Sequence, residues 1–215
     1  MIARTVSNRR DGSTDGRHDG RPEARAEPPV TPAWLERVTT HYLDRYGASS
    51  EMLRRVLARR IERRCRSRDE DASAHAGLIE ETVARAQKAG LVDDARFAAA
   101  RLRGLRRRGT STRQAQARLA AKGIDRETIA ATLAEEDETA ETQEGEADTE
   151  ERAALAYARR RRLGPYRRPE TREANRERDL AAMARAGFSY ALAKAVLAGE
   201  AQEHENADET SVDQE

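Results

Sequence analysis

The 215-residue chain has one cysteine, Cys65, and few aromatic side chains: one Trp, five Tyr and two Phe. A single cysteine excludes an internal disulfide framework and gives no reason to expect an oxidising compartment. So few large rings cannot fill the core of a sheet sandwich or barrel, so the chain is expected to pack helices through Leu, Ile, Val and Ala. The four histidines, His18, His41, His75 and His204, have no ligand spacing among them and no cysteine pair to join. No metal and no cofactor are therefore expected. No apolar run approaches the roughly 20 residues of a membrane span. The start, MIARTVSNRR, leads into polar sequence, not an apolar signal region. The expectation is a cytoplasmic, monomeric protein without a membrane anchor.

Lysine is scarce as well. Only Lys88, Lys122 and Lys194 interrupt a basic set of 40 residues that is otherwise arginine. A GC-rich genome explains that ratio without function. Whatever its origin, the planar guanidinium fork suits phosphate and carboxylate.

The formal net charge of +1 conceals blocks of opposite sign. Residues 1–30, rich in Gly, Pro, Asp, Ser and Arg, read as a disordered extension. Residues 31–134 carry 22 basic and 13 acidic groups. From Glu135 to Glu151 there are 10 acids and no base, and from Arg152 to Ala198 there are 12 bases and 4 acids. Gly199 to Glu215 adds 7 acids and no base. Two basic blocks alternating with two acidic ones suit a polyanion or an acidic protein groove as partner. The acidic segments read either as solubilising linker and tail or as internal competitors for the basic blocks.

Helix signals recur from residue 33 to 198 and strand signals do not. The first helix is expected over about 33–46. A second, capped by Ser49, sets Leu53, Val56, Leu57 and Ile61 on one face and Arg55, Arg59 and Arg63 on the other. After a polar loop over 66–74, a third runs to Gly90. Asp93 or Asp94 caps a helix with inner stripe Ala95, Ala98, Leu102 and Leu105, and Ser111 with Gln114 has capping-box spacing. Ile124, Asp125 and Ile129 open a helix to about Glu135. Further helices are expected over 153–162, from Pro169 to Ala186, and from the cap Ser189 to Leu197. A glycine followed ten residues later by leucine recurs at Gly47/Leu57, Gly109/Leu119, Gly123/Leu133 and Gly187/Leu197. The expected architecture is all-α: about nine helices in tandem three-helix repeats over 31–90, 91–135 and 151–198, forming an elongated, curved molecule. An acidic linker is expected over 136–150 and a disordered acidic tail over 199–215.

The run GLVDDARFAAARLRGLRRRGTSTRQAQARLAAKGIDRETIAATL resembles the central signature of RecX regulatory proteins. It has a Gly-Leu-hydrophobic-Asp-Asp-x-x-Phe helix start, an Arg-Arg-Gly helix end and a Lys-Gly-Ile-x-x-x-x-Ile close. The flanks agree, with Tyr42-Leu43 and Leu53-Arg54-Arg55-Val56-Leu57 before it and Gly187-Phe188-Ser189 and Val196-Leu197 after it. The resemblance implies tandem three-helix repeats, cytoplasmic residence and binding to the RecA recombinase filament on DNA, limiting recombination and the SOS response. The chain departs from shorter members in its first 30 residues, the Cys65 to Ala74 loop, the acidic spacer and the tail.

Two arginine sets are the candidate RecA and DNA contacts. The first is Arg96, Arg101, Arg103, Arg106, Arg107 and Arg108, of which Arg96, Arg103 and Arg107 share a helical stripe. The plainer reading of its terminal residues is a solvated face with charges favourable at a helix C-terminus. The second is Arg159, Arg160, Arg161 and Arg162 with Tyr166, Arg167 and Arg168. Tyr166 reads equally as a stacking residue or as core. Arg54, Arg55 and the other arginines of 54–64 have Glu51 and Glu62 nearby and read as ordinary helix pairs. Cys65 lacks an evident histidine partner and reads as an incidental thiol. No P-loop and no Ser/His/Asp set is present, so no catalytic site is expected. Two functions are compatible: a non-catalytic modulator of RecA ATPase, recombination and SOS activity, and a sequence-nonspecific DNA-binding protein acting without RecA.

Overall fold

The computed structural model describes residues 28–143 and 149–199. Among them are nine α-helices, three short 3-10 segments and no strand. The first group comprises α1 (Pro32–Leu43), α2 (Ser50–Arg66) and α3 (Ala76–Lys88); the second, α4 (Asp94–Arg106), α5 (Thr112–Ala120) and α6 (Arg126–Gln143); the third, α7 (Thr149–Arg161), α8 (Arg172–Arg185) and α9 (Tyr190–Ala198). No described helix is long and apolar enough to cross a membrane.

Each group closes around its own small core. Leu35, Leu53, Leu57, Ile61 and Val83 are fully buried in the first, Leu102, Leu105 and Leu119 in the second, Met183 and Val196 in the third. Each such side chain contributes about 1.5–3 kcal/mol by leaving water. The predicted stripe of α4 is correct at Ala98, Leu102 and Leu105, whereas Ala95, at the first turn, is exposed.

The Gly-to-Leu spacing marks real junctions. Ser49, Ser111, Asp125 and Ser189 each follow the glycine by two residues, and each side chain accepts from the amide three positions on, at Met52, Gln114, Thr128 and Leu192. These caps open α2, α5, α6 and α9. Pro32 at the first position of α1 follows the cap Thr31, as the proline signal requires. Pro169 instead opens a 3-10 turn, Pro169–Thr171, before α8.

The expected acidic linker departs most from the structure. Helix α6 continues through Glu135 to Gln143, and α7 begins at Thr149, so Glu150 and Glu151 are helical. The run EEDETAETQ has four Glu with one Ala and one Gln, good helix formers that carry on an already nucleated helix. The expected extension over 1–30, except its last three residues, and all of the acidic tail but Gly199 lie outside the described residues.

Candidate functional site

The three groups meet at two joints built on one plan. At the first, the capping Ser49 hydroxyl donates to the carbonyl of Lys122, the residue before Gly123 at the end of α5. Asp94, at the start of α4, accepts from both the amide and the hydroxyl of Ser50 at 2.8 Å. At the second, the capping Ser111 hydroxyl donates to the carbonyl of Ala186, the residue before Gly187 at the end of α8. Glu150, in the first turn of α7, accepts from the amide and hydroxyl of Thr112. The second helices therefore run end to end, α8 into α5 into α2, each C-terminus meeting the next N-terminus. Opposite ends of the helix dipoles face each other there, and orphan amides are satisfied by a neighbour's carboxylate.

The sequence assigned Asp93 or Asp94 to one role, and the structure gives them two. Asp93 caps α4 through the Arg96 amide, and Asp94 spans the joint. Gln114 also departs from the capping-box expectation. Its side chain does not return to Ser111 but donates to the carbonyl of Arg185 across the second joint, at 3.2 Å.

The three consecutive arginines at the end of α4 go to three places. Arg106 is a latch. Its guanidinium donates to Glu136 of α6 at 2.9 Å, to Glu150 of α7 at 2.8 Å, and to Thr112. Burial works against its charge, and the two carboxylates more than reverse this, holding its pKa above the ordinary value. Arg106, expected at a partner surface, is thus engaged within the chain. Arg107 lines a cleft of about 530 Å³ with Arg103, Arg152, Glu135 and Glu136, where acids and bases are mixed. Arg108 turns to the other side of the joint.

There it lines an open groove of about 610 Å³ with Arg118 of α5, Arg160 and Arg161 of α7, and Arg185 of α8. Among the described residues, no carboxylate lines this groove. Tyr157 lies in it, with the guanidinium carbons of Arg160 and Arg161 at 5.8 and 5.9 Å from the ring centroid. These are cation–π distances, and they hold two arginines beside one aromatic. The groove takes side chains from two groups, so it exists only while the second joint is closed.

Of the other expected contacts, Arg96, Arg101, Arg159, Arg162 and Arg168 are exposed outside the groove. The Arg96 guanidinium rests on the carbonyl of Gly90 at 3.0 Å. Arg167 is paired within the chain to Asp179, at 2.7 and 3.0 Å, and Asp179 also accepts from the amide of Gly164. Burial pushes the Asp179 carboxyl up, and the Arg167 and Gly164 hydrogen bonds outweigh it to hold the pKa below the usual range. Tyr166 is half-buried and packs on the third core. Of the two readings left open for it, packing describes its place. Of the first-group arginines, Arg54 pairs with Glu51 and Glu80 and Arg55 with Glu51, as expected, whereas Arg64 is buried, lies over the Trp34 ring and donates to the carbonyl of Pro28.

Sequence reasoning missed Arg118, Arg185 and Tyr157. Arg118 and Arg185 are solitary bases in otherwise apolar or mixed turns. Both lie near the C-terminus of a second helix, and that was the available signal.

A family model described as RecX, second three-helix domain, matches residues 93–133. The chain is 41% identical over 169 residues to the regulatory protein RecX of Myxococcus xanthus (strain DK1622), covering 78% of this chain and 86% of that protein. It is 34% identical over 115 residues to the regulatory protein RecX of Agrobacterium fabrum (strain C58), covering 54% and 56%. No solved structure matches. With three-helix groups joined on one plan and this extent of identity, the chain belongs to the RecX family of regulatory proteins.

Proposed function

We propose that this protein is a non-catalytic regulator that binds the RecA filament on DNA, as a monomer in the cytoplasm, and lowers its ATP turnover, recombination and SOS activity. Family membership supplies the class of function. The groove between the second and third groups supports the rest: five arginines and one tyrosine, with no carboxylate among the described residues, form a surface suited to an anionic partner. Modules joined on a repeated plan suit a helical filament, because each can meet an equivalent surface.

The test is RecA's DNA-dependent ATPase and strand exchange with the protein added. The wild-type chain inhibits both. A variant with Arg108, Arg160 and Arg161 changed to Ala loses about tenfold or more in potency, since even one lost charge-assisted hydrogen bond costs about 1.5–3 kcal/mol. Changing Arg59, Arg60 and Arg63, exposed on α2, to Ala leaves potency within about twofold. Absence of inhibition at any stoichiometry rejects the reading. The same groove also favours a second one, nonspecific binding to DNA without RecA. It predicts that log affinity for naked DNA falls steeply with log salt, and binding that requires RecA removes it.

A further inference from the structure

The connector between α2 and α3 brings together three potential ligands that the sequence scattered. Cys65 Sγ, a carboxylate oxygen of Glu70 and a ring nitrogen of His75 all lie within 4.8 Å of one another. We propose that they form a site for a single zinc ion, with the fourth position left to water. The spacing is Cys-x4-Glu-x4-His, within the segment where this chain departs from shorter family members.

The backbone places these groups. The amides of Arg68 and Glu70 both donate to the carbonyl of Cys65, at 2.9 and 3.0 Å, folding the chain back over the end of α2. Asp69 adopts φ +55°, a left-handed conformation that Asp tolerates better than most side chains and that helps turn the chain back here. Asp71 then caps the turn Ala72–His75 through the amide and hydroxyl of Ser73, and that turn ends on the third ligand.

The donor set selects the metal. Thiolate with imidazole and one carboxylate suits zinc, whereas Mg2+ and Ca2+ take oxygen ligands only. Tetrahedral zinc at bonds of about 2.0–2.3 Å holds its ligand atoms about 3.4–3.6 Å apart, so the three groups need close by only about an ångström. Cys65 is buried, whereas Glu70 is exposed and His75 half-buried, which leaves a path for the ion. Arg68 donates to Glu70 at 2.6 Å, an outer contact that orients the carboxylate as partners of metal ligands do. A thiolate and a carboxylate together neutralise the ion. The bound zinc would clip α2 to α3 and thereby fix the first group.

The full-length chain, stripped of metal, is titrated with Zn2+ in competition with a chromophoric chelator, and with Co2+ by absorption spectroscopy. The expected result is one equivalent per chain, a thiolate-to-cobalt charge-transfer band, and release of the Cys65 proton on binding. Cys65→Ser abolishes the band, and His75→Ala and Glu70→Gln each weaken Zn2+ at least tenfold. If Cys65→Ser fails to fold by circular dichroism, the half-buried His75→Ala and exposed Glu70→Gln carry the test. No stoichiometric uptake, or uptake undiminished in His75→Ala and Glu70→Gln, overturns the proposal.

Discussion

The two joints share a plan but differ in what surrounds it. Aligned on their capping serines, Arg108, Gln114 and Arg118 of the second joint stand where the first has Tyr46, Met52 and Val56. The first joint therefore presents an exposed tyrosine where the second presents arginine, Tyr46 being 58% exposed. The bases beside it, Arg54 and Arg55, are occupied by Glu51 and Glu80. The latch position differs too: Arg106 aligns with Asp44, and no described ion pair crosses the first joint. One hydrogen-bonding scheme thus serves two ends. At the first joint it links groups, and at the second it also holds open a basic groove whose walls come from both sides.

The largest expected effect separates Gly109 from its counterpart Gly47. A Cβ on Gly109 would sit 2.3 Å from the amide nitrogen of Tyr157 and 2.7 Å from the carbonyl of Ala153, both backbone atoms of α7, at φ +66°. Neither atom can rotate away, and a left-handed backbone disfavours any side chain. Gly109→Ala should cost about 3 kcal/mol or more and weaken filament binding along with stability. At Gly47 nothing lies within 4 Å of the same atom. Gly47→Ala is expected to be neutral or to stabilise by up to about 1 kcal/mol. Urea denaturation of the two variants checks this, and equal costs would show that the second joint is no tighter than the first.

The next effect compares the polar links. Arg106→Met removes from Glu136 and Glu150 the guanidinium they share, at side chains only 16% and 23% exposed. Breaking a buried pair on one side costs about 3 kcal/mol at full burial, so about 2 kcal/mol is expected here. Asp94→Ala removes two hydrogen bonds from Ser50, which is 4% exposed, at a cost of about 1–2 kcal/mol. The decisive readout is potency in the ATPase assay. Arg106→Met should lose it beyond what stability explains, because the groove depends on joint closure, and Asp94→Ala should not. Equal losses of potency would place the functional surface elsewhere.

Much of this contrast lies beyond the reach of local sequence signals. Caps and apolar stripes are local, so Ser49, Ser111, Asp125, Ser189 and the core leucines are legible. Glu136 and Glu150 read as members of an acidic spacer because their partner, Arg106, is far away in sequence. Asp179 reads as one more polar helix residue, yet it is 2% exposed and ties down the Gly164 turn. Tyr157 sits among the alanines of α7 and reads as core. Only packing α7 against the turn at Gly109 brings it beside Arg108. His75 reads as isolated from Cys65 because the turn that joins them rests on the amides of Arg68 and Glu70 folding back to the Cys65 carbonyl, which spacing along the sequence does not show.

The smallest expected effect comes from carrying the second joint's character to the first. Tyr46→Arg supplies at the first joint the residue that Arg108 is at the second, on a side chain already largely in solvent, so its effect on stability should stay within about 0.5 kcal/mol. Tyr46 stacks at 5.4 Å on Tyr42, and that tilted contact is the main thing lost. If the groove works by collecting anionic contacts, one more arginine on the equivalent face should raise affinity for the RecA–DNA filament a few-fold at low salt. Where the contact is a phosphate, the slope of log affinity against log salt should steepen by about 0.9. Unchanged affinity and slope would mean that the first joint faces away from the partner. The repeated plan would then be a device for spacing the groups, and recognition would belong to the second joint alone.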